Sequence, residues 1–183
     1  MSQRRPLLIL IVAFVALLVI TLIVQRVPPT SNLPAATPFY FRVYPDLTVD
    51  DLQVVRIQDA TSGEQFTIRR TPENAWATDS GGTVVQTTAD LIARTIVLLP
   101  YTQTLDLPPP EERARYGFIE GQGLLITALL NDGSSRIIAV GAFTPTGTSY
   151  FALVDDRTDL YVIERAAVDF LIVQLQNPPV AAA

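Results

Sequence analysis

Almost all the acid–base and metal-binding capacity of this chain rests on carboxylates, because it contains no His, no Cys and no Lys. Every one of its 13 basic residues is Arg. That set excludes an ordinary zinc site, a Ser-His-Asp or Cys-His nucleophile, haem ligation of the usual kind and any disulfide. It equally excludes a Schiff base and a Walker-type phosphate lysine. Gly121-Gln122-Gly123 lacks the third Gly of a dinucleotide fingerprint and reads as a loop before a strand. Asp155, Asp156 and Asp159 surround a turn and could offer oxygen ligands to Ca²⁺, although their spacing lacks the D-x-D-x-D-G loop. A solvated hairpin tip explains them equally well. A carboxylate-pair hydrolase needs two acids across a cleft, and nothing marks any of the 18 acids as such a pair. Trp76 is the only Trp and follows a strand where a core aromatic belongs, so core packing is preferred over a ligand platform. No catalytic, cofactor-binding or metal-binding residue is assigned, and a non-enzymatic protein is the expectation.

The elements that would position these residues follow from periodicity. Val54–Asp59 and Gln65–Arg70 alternate as half-buried strands, with Phe66 and Ile68 on one face. Ala75-Trp76-Ala77 offers a third short strand. Thr87 and Asp90 resemble a capping box at the start of a helix with an inward stripe of Leu91, Ile92, Thr95, Ile96 and Leu99, stopped by Pro100. Tyr101–Leu105 looks extended, and Glu111–Arg115 makes one helical turn closed by Gly117. Leu124–Leu130 and Arg136–Val140 flank the turn Asn131-Asp132-Gly133-Ser134, and Ser149–Val154 and Leu160–Ile163 flank Asp155–Asp159. A closing helix, Arg165–Leu175, carries Val168, Leu171, Ile172 and Leu175 on one face and ends at Pro178-Pro179. The expected class is α+β, an antiparallel sheet with helices on one side. Each half runs strands then helix, the order of a duplicated ββ(β)α unit, although no residue string recurs.

Ahead of this body, Leu7–Val24 is 18 residues long with Thr21 as its only polar member. As a helix it spans roughly 27 Å, close to the hydrocarbon thickness of a bilayer. Arg4 and Arg5 precede the run and only Arg26 follows it, so the positive-inside rule places the N-terminus in the cytoplasm. The run exceeds a cleavable h-region, and no small-x-small site follows it closely. The domain plan is therefore a cytoplasmic N-terminus 1–6, a transmembrane signal anchor 7–26, a Pro-rich spacer 27–38, an extracytoplasmic domain 39–177 and a disordered tail 178–183. From Val27 onward there are 10 Arg against 18 Asp plus Glu, a net of −8, which should repel nucleic acid.

An ordered series of residues resembles the DUF4340 domain proteins, a family of undefined function. It comprises Val43-Tyr44-Pro45, Trp76, Leu98-Leu99, Tyr116-Gly117-Phe118, Val140-Gly141, Tyr150 and Val162-Ile163, and spans about Val43 to Leu175. The family pattern often continues Tyr-Gly-Leu-x-x-Pro, whereas Phe118 stands here with no Pro near 121. The resemblance implies a membrane-anchored extracytoplasmic protein, some members being encoded beside ABC-type transport or gliding-associated components. It supplies no catalytic residues. Tyr116, Gly117 and Gly141 read as fold determinants, both glycines suiting positive φ.

Three functions are compatible with these features. The leading expectation is an accessory or scaffold subunit of a membrane complex, transporter-associated or energy-converting, contacting lipid through Leu7–Val24 and other membrane subunits through its surface. The second is a free-standing binding module for a glycan, peptide or small ligand. The third is a carboxylate enzyme.

Overall fold

The computed structural model describes residues 39–180. The N-terminus 1–6, the anchor 7–26, the spacer 27–38 and tail residues 181–183 lie outside the described residues. Among those described, no helix is long and apolar enough to cross a membrane.

A nine-stranded antiparallel sheet forms the frame, in the order β1-β5-β9-β8-β7-β6-β2-β3-β4. Its strands are β1 Phe41–Arg42, β2 Leu52–Asp59, β3 Gln65–Arg70, β4 Trp76–Thr78, β5 Pro100–Asp106, β6 Leu124–Leu130, β7 Ser135–Phe143, β8 Ser149–Val154 and β9 Asp159–Glu164. Two α-helices, α1 Gln86–Val97 and α2 Arg165–Gln176, and two 3-10 helices, Val49–Asp51 and Pro110–Tyr116, complete it. The class is α+β, dominated by sheet.

Period-two alternation makes the strands. In β6 the residues Leu124, Ile126, Ala128 and Leu130 are buried while Leu125, Thr127 and Leu129 between them are half-buried. Two meanders diverge from the central antiparallel pair β2/β6, in which Ile57 faces Ile126. One runs β2-β3-β4 and leads into α1; the other runs β6-β7-β8-β9 and leads into α2. After α1 the chain crosses to pair β5 with β9, Leu105 opposite Leu160.

Both α-helices join one hydrophobic core with the same face of the sheet, through Ile92, Ile96, Val168 and Leu171 against Ile57, Ile68, Ile126 and Ile138. The other face holds a smaller cluster, Phe151, Leu160 and Val162, covered by Tyr116 and Phe118 at the end of the second 3-10 helix. Helical cover is thus one-sided for the α-helices only.

Several sequence expectations shift. Helix α1 begins at Gln86 with Val85 as N-cap and no side-chain cap, so Thr87 and Asp90 form no capping box. Asp90 instead accepts a hydrogen bond from Trp76 Nε1 at 2.8 Å. Gln86 pairs with the Trp76 backbone, accepting from its N–H at 2.8 Å and donating to its carbonyl at 2.7 Å. This side-chain bridge fixes where the helix starts. Its buried stripe is Ala89, Ile92, Ala93, Ile96 and Val97, while Leu91 is exposed. Alanines let the helix approach closely, and a reading weighted by side-chain size passed over them. Pro179 and Val180 pack on the start of α1: Val180 bridges to Val84, and Val85 N–H donates to Pro179 O at 2.8 Å. Gly117 does cap its helix with φ 84°. Gly141 is not at positive φ. It is needed because a Cβ there would collide with the Tyr116 carbonyl, where the 3-10 helix lies backbone-to-backbone on β7.

Candidate functional site

A polar cleft of about 410 Å³ opens beside the β6–β7 hairpin, with Tyr44, Asp51, Asn131, Arg136, Asp155 and Arg157 among its lining. The hairpin turn and the first 3-10 helix build one wall. Asn131 ties them, donating from Nδ2 to Asp50 O at 2.6 Å and from its backbone N–H to Asp51 O at 2.9 Å. The turn between β8 and β9 supplies the other wall, where Asp155 adopts φ 48°.

Each cleft acid whose partners can be traced serves the fold. Asp51 accepts from the Thr48 backbone N–H at 2.8 Å and its hydroxyl at 2.6 Å, and these bonds hold its carboxyl below the usual range. Asp132 is lowered in the same way by the Ser134 hydroxyl and N–H. Asp155 Oδ1 accepts from Ile137 N–H at 2.7 Å and from the Tyr44 hydroxyl at 3.2 Å. Burial, and next the Asp155 charge, push the Tyr44 phenol well above its ordinary range. A general acid near neutral pH needs a carboxyl raised toward that range. Asp51 and Asp132 move the opposite way.

Two arginines face these acids. Arg157 is committed: Nη1 donates to Val43 O at 3.0 Å and to the Tyr161 hydroxyl at 2.9 Å, with its guanidinium 5.2 Å from the Tyr44 ring centroid. Among the described residues Arg136 donates only to Ser135 O, at 3.2 Å, and its side chain lines the cleft. A carboxylate or phosphate would suit its guanidinium fork.

Of the acids singled out in the sequence, Asp155 points inward to Tyr44, Asp156 is exposed, and Asp159 pairs across to Asp106 in the β5–β9 ladder. Among the described residues no group of three or more acids lies close enough to hold a metal ion. Trp76 is buried, with the Arg70 guanidinium 4.0 Å from its ring centroid. Sequence reasoning missed the Tyr44, Arg136 and Arg157 grouping. The only local signal was Val43-Tyr44-Pro45, which carries no information about a partner 111 residues away.

A second hollow of about 260 Å³ lies between α2 and the sheet, floored by Leu124, Val140 and Val168 and edged by Asp59 and Glu64. Beside it Tyr150 donates to Asp169 at 2.7 Å, and Asp169 accepts from Arg165 Nε at 2.8 Å.

The face of the sheet away from the α-helices is the third surface of note. It carries half-buried Val54, Leu125, Leu129 and Leu153, and exposed Ile137. Compared with known proteins, the chain matches no family model, no curated protein and no solved structure.

Proposed function

We propose that this chain is a non-enzymatic, membrane-anchored extracytoplasmic accessory subunit that holds a partner of a membrane complex against its sheet. The observation that carries this reading is the sheet face without α-helical cover, where Val54, Leu125, Leu129, Ile137 and Leu153 share one side of the sheet with Arg56 and Thr127 set between them. Apolar surface of that kind, rimmed by polar residues, is what partner proteins cover. The acids of the cleft, spent on turn capping and on Tyr44, support the non-enzymatic part. Leu7–Val24 supports the anchor, by length and hydropathy. The resemblance to DUF4340 domain proteins belongs to this proposal, as does a duplicated origin. Two meanders leaving one antiparallel pair, each ending in a helix on the same face, are what a duplication would leave.

A photo-crosslinking residue in place of Ile137, introduced in living cells, tests the reading. The expected result is an adduct with another membrane protein. Labelling that yields no protein adduct, with the chain intact in the membrane, rejects it.

A second reading, an extracytoplasmic binding module for an anionic small ligand, is favoured by Arg136 alone. It requires Arg136→Gln to abolish ligand binding while leaving stability unchanged.

A further inference from the structure

The described chain opens on Phe39-Tyr40-Phe41, three consecutive aromatic residues with 86%, 46% and 55% of their surface exposed. A two-residue strand normally buries one face, yet both residues of β1 are exposed. The segment is nevertheless fixed to the domain. Phe41 pairs with Tyr101 in the β1–β5 ladder, their ring centroids are 5.5 Å apart, and Tyr101 meets Tyr161 of β9 edge-on at 5.1 Å. The Phe41 ring is therefore held in place by a path that leads into the core, and Phe39 and Tyr40 directly precede it.

We infer that Phe39, Tyr40 and Phe41 form an aromatic foot that rests in the interfacial layer of a zwitterionic bilayer and sets the domain against the membrane. This rests on the membrane-anchor reading of Leu7–Val24. Residues 25–38 separate that run from the foot. A fully extended chain of that length reaches at most about 50 Å, and any more compact spacer brings the foot nearer the surface. Amphipathic aromatic rings favour the headgroup level, where an apolar body and a polar tip are both satisfied. Arg42, exposed and next in sequence, carries its charge on a long stem that reaches lipid phosphate from such a position. With a body of net −8, attraction to anionic lipid cannot hold the domain down, which leaves ring insertion as the contact.

The absence of Cys makes the test direct. Tyr40→Cys and Glu73→Cys, in the otherwise full-length chain, each give one site for an environment-sensitive fluorophore; Glu73 lies in an exposed turn. Both proteins are reconstituted into phosphatidylcholine vesicles containing nitroxide lipids labelled near the headgroup. Position 40 should emit to the blue and be quenched several-fold more than position 73. Adding Phe39→Ser and Phe41→Ser should abolish that difference. Equal quenching at the two positions overturns the proposal, and so does a blue-shifted but unquenched label at 40, which would mean that protein covers the foot. Alkaline carbonate washing reads the anchor separately. Retention in the vesicles without quenching rejects the foot alone, whereas release into the wash rejects the anchor reading and the foot with it.

Discussion

Trp76 concentrates several of the interactions that hold the first meander to its helix. Its side chain is 2% exposed, its indole N–H is spent on Asp90, and Arg70 lies over its ring. Trp76→Ala removes the largest fully buried side chain and strands the Asp90 acceptor, so it should cost about 3–5 kcal/mol in urea unfolding. Unfolding within experimental error of wild type would place the residue outside the core. Two phenols govern alkaline behaviour. Burial first, then a neighbouring aspartate, raises Tyr44 and Tyr150 above the ordinary value of 10.0. The folded chain keeps these protons when the unfolded chain gives them up. Their contribution is complete below pH 10.0 and is lost as pH rises from there toward the folded values. Tyr44→Phe/Tyr150→Phe should therefore flatten the alkaline fall in unfolding midpoint, and an unchanged slope would assign that fall to other groups. At this scale the cleft was illegible in the sequence. Whether Asp155 faces solvent or Tyr44 depends on a turn at φ 48° and on the bend after β1, brought in from the other end of the domain.

Strand bounds were legible because their signals are local, alternation for Gln65–Arg70 and adjacent turns for Leu124–Leu130 and Ser149–Val154, and all three match the structure end for end. The hairpin pairings β6–β7 and β8–β9 were legible from their turns, but β2–β6 and β5–β9 were not, since they join segments far apart in the chain and leave no periodic trace. Helix α1 lies between these cases. Its period was readable, but its start depends on Gln86, whose side chain takes the place of a neighbouring strand for Trp76. That amide also closes part of the β4 edge, which the Ala77–Thr83 bridge closes further along. Gln86→Ala leaves a backbone N–H and carbonyl of a buried residue unpaired and should cost about 1–3 kcal/mol. Gln86→Glu keeps the acceptor and loses the donor, so it should fall between. Hydrogen exchange at the Trp76 amide reports the local effect, and exchange as slow as wild type in Gln86→Ala would show that another group replaces the amide. The second 3-10 helix depends on β7 in a comparable way. With Gly141→Ala the new methyl meets the Tyr116 carbonyl, and backbone cannot swing aside as a side chain can. Loss of the Tyr116–Phe151 edge-on contact should follow, read as a more exposed tyrosine in near-ultraviolet spectra.

For the whole molecule, charge distribution argues orientation more strongly than any contact does. The domain carries a net −8, no Lys and no His, and its only link to Arg4 and Arg5 is the apolar run Leu7–Val24. Orientation rules weigh basic residues near the ends of a span, and acidic ones contribute little. The pair Arg4 and Arg5, with the terminal amine, against Arg26 alone is then the deciding imbalance, and under the proposed anchor it predicts residues 1–6 in the cytoplasm and the sheet outside. Glu73→Cys tests this in intact cells, because the natural chain contains no other thiol to react. A membrane-impermeant maleimide should label it without lysis. With Arg4→Ser and Arg5→Ser the terminal amine alone faces Arg26, the imbalance vanishes, and the labelled fraction should fall as part of the population inverts. Labelling that requires lysis in the unaltered N-terminus would put the domain in the cytoplasm and remove the basis of the accessory reading. Labelling outside that persists in the double Ser variant would keep the topology and shift its cause from the arginines to the domain itself.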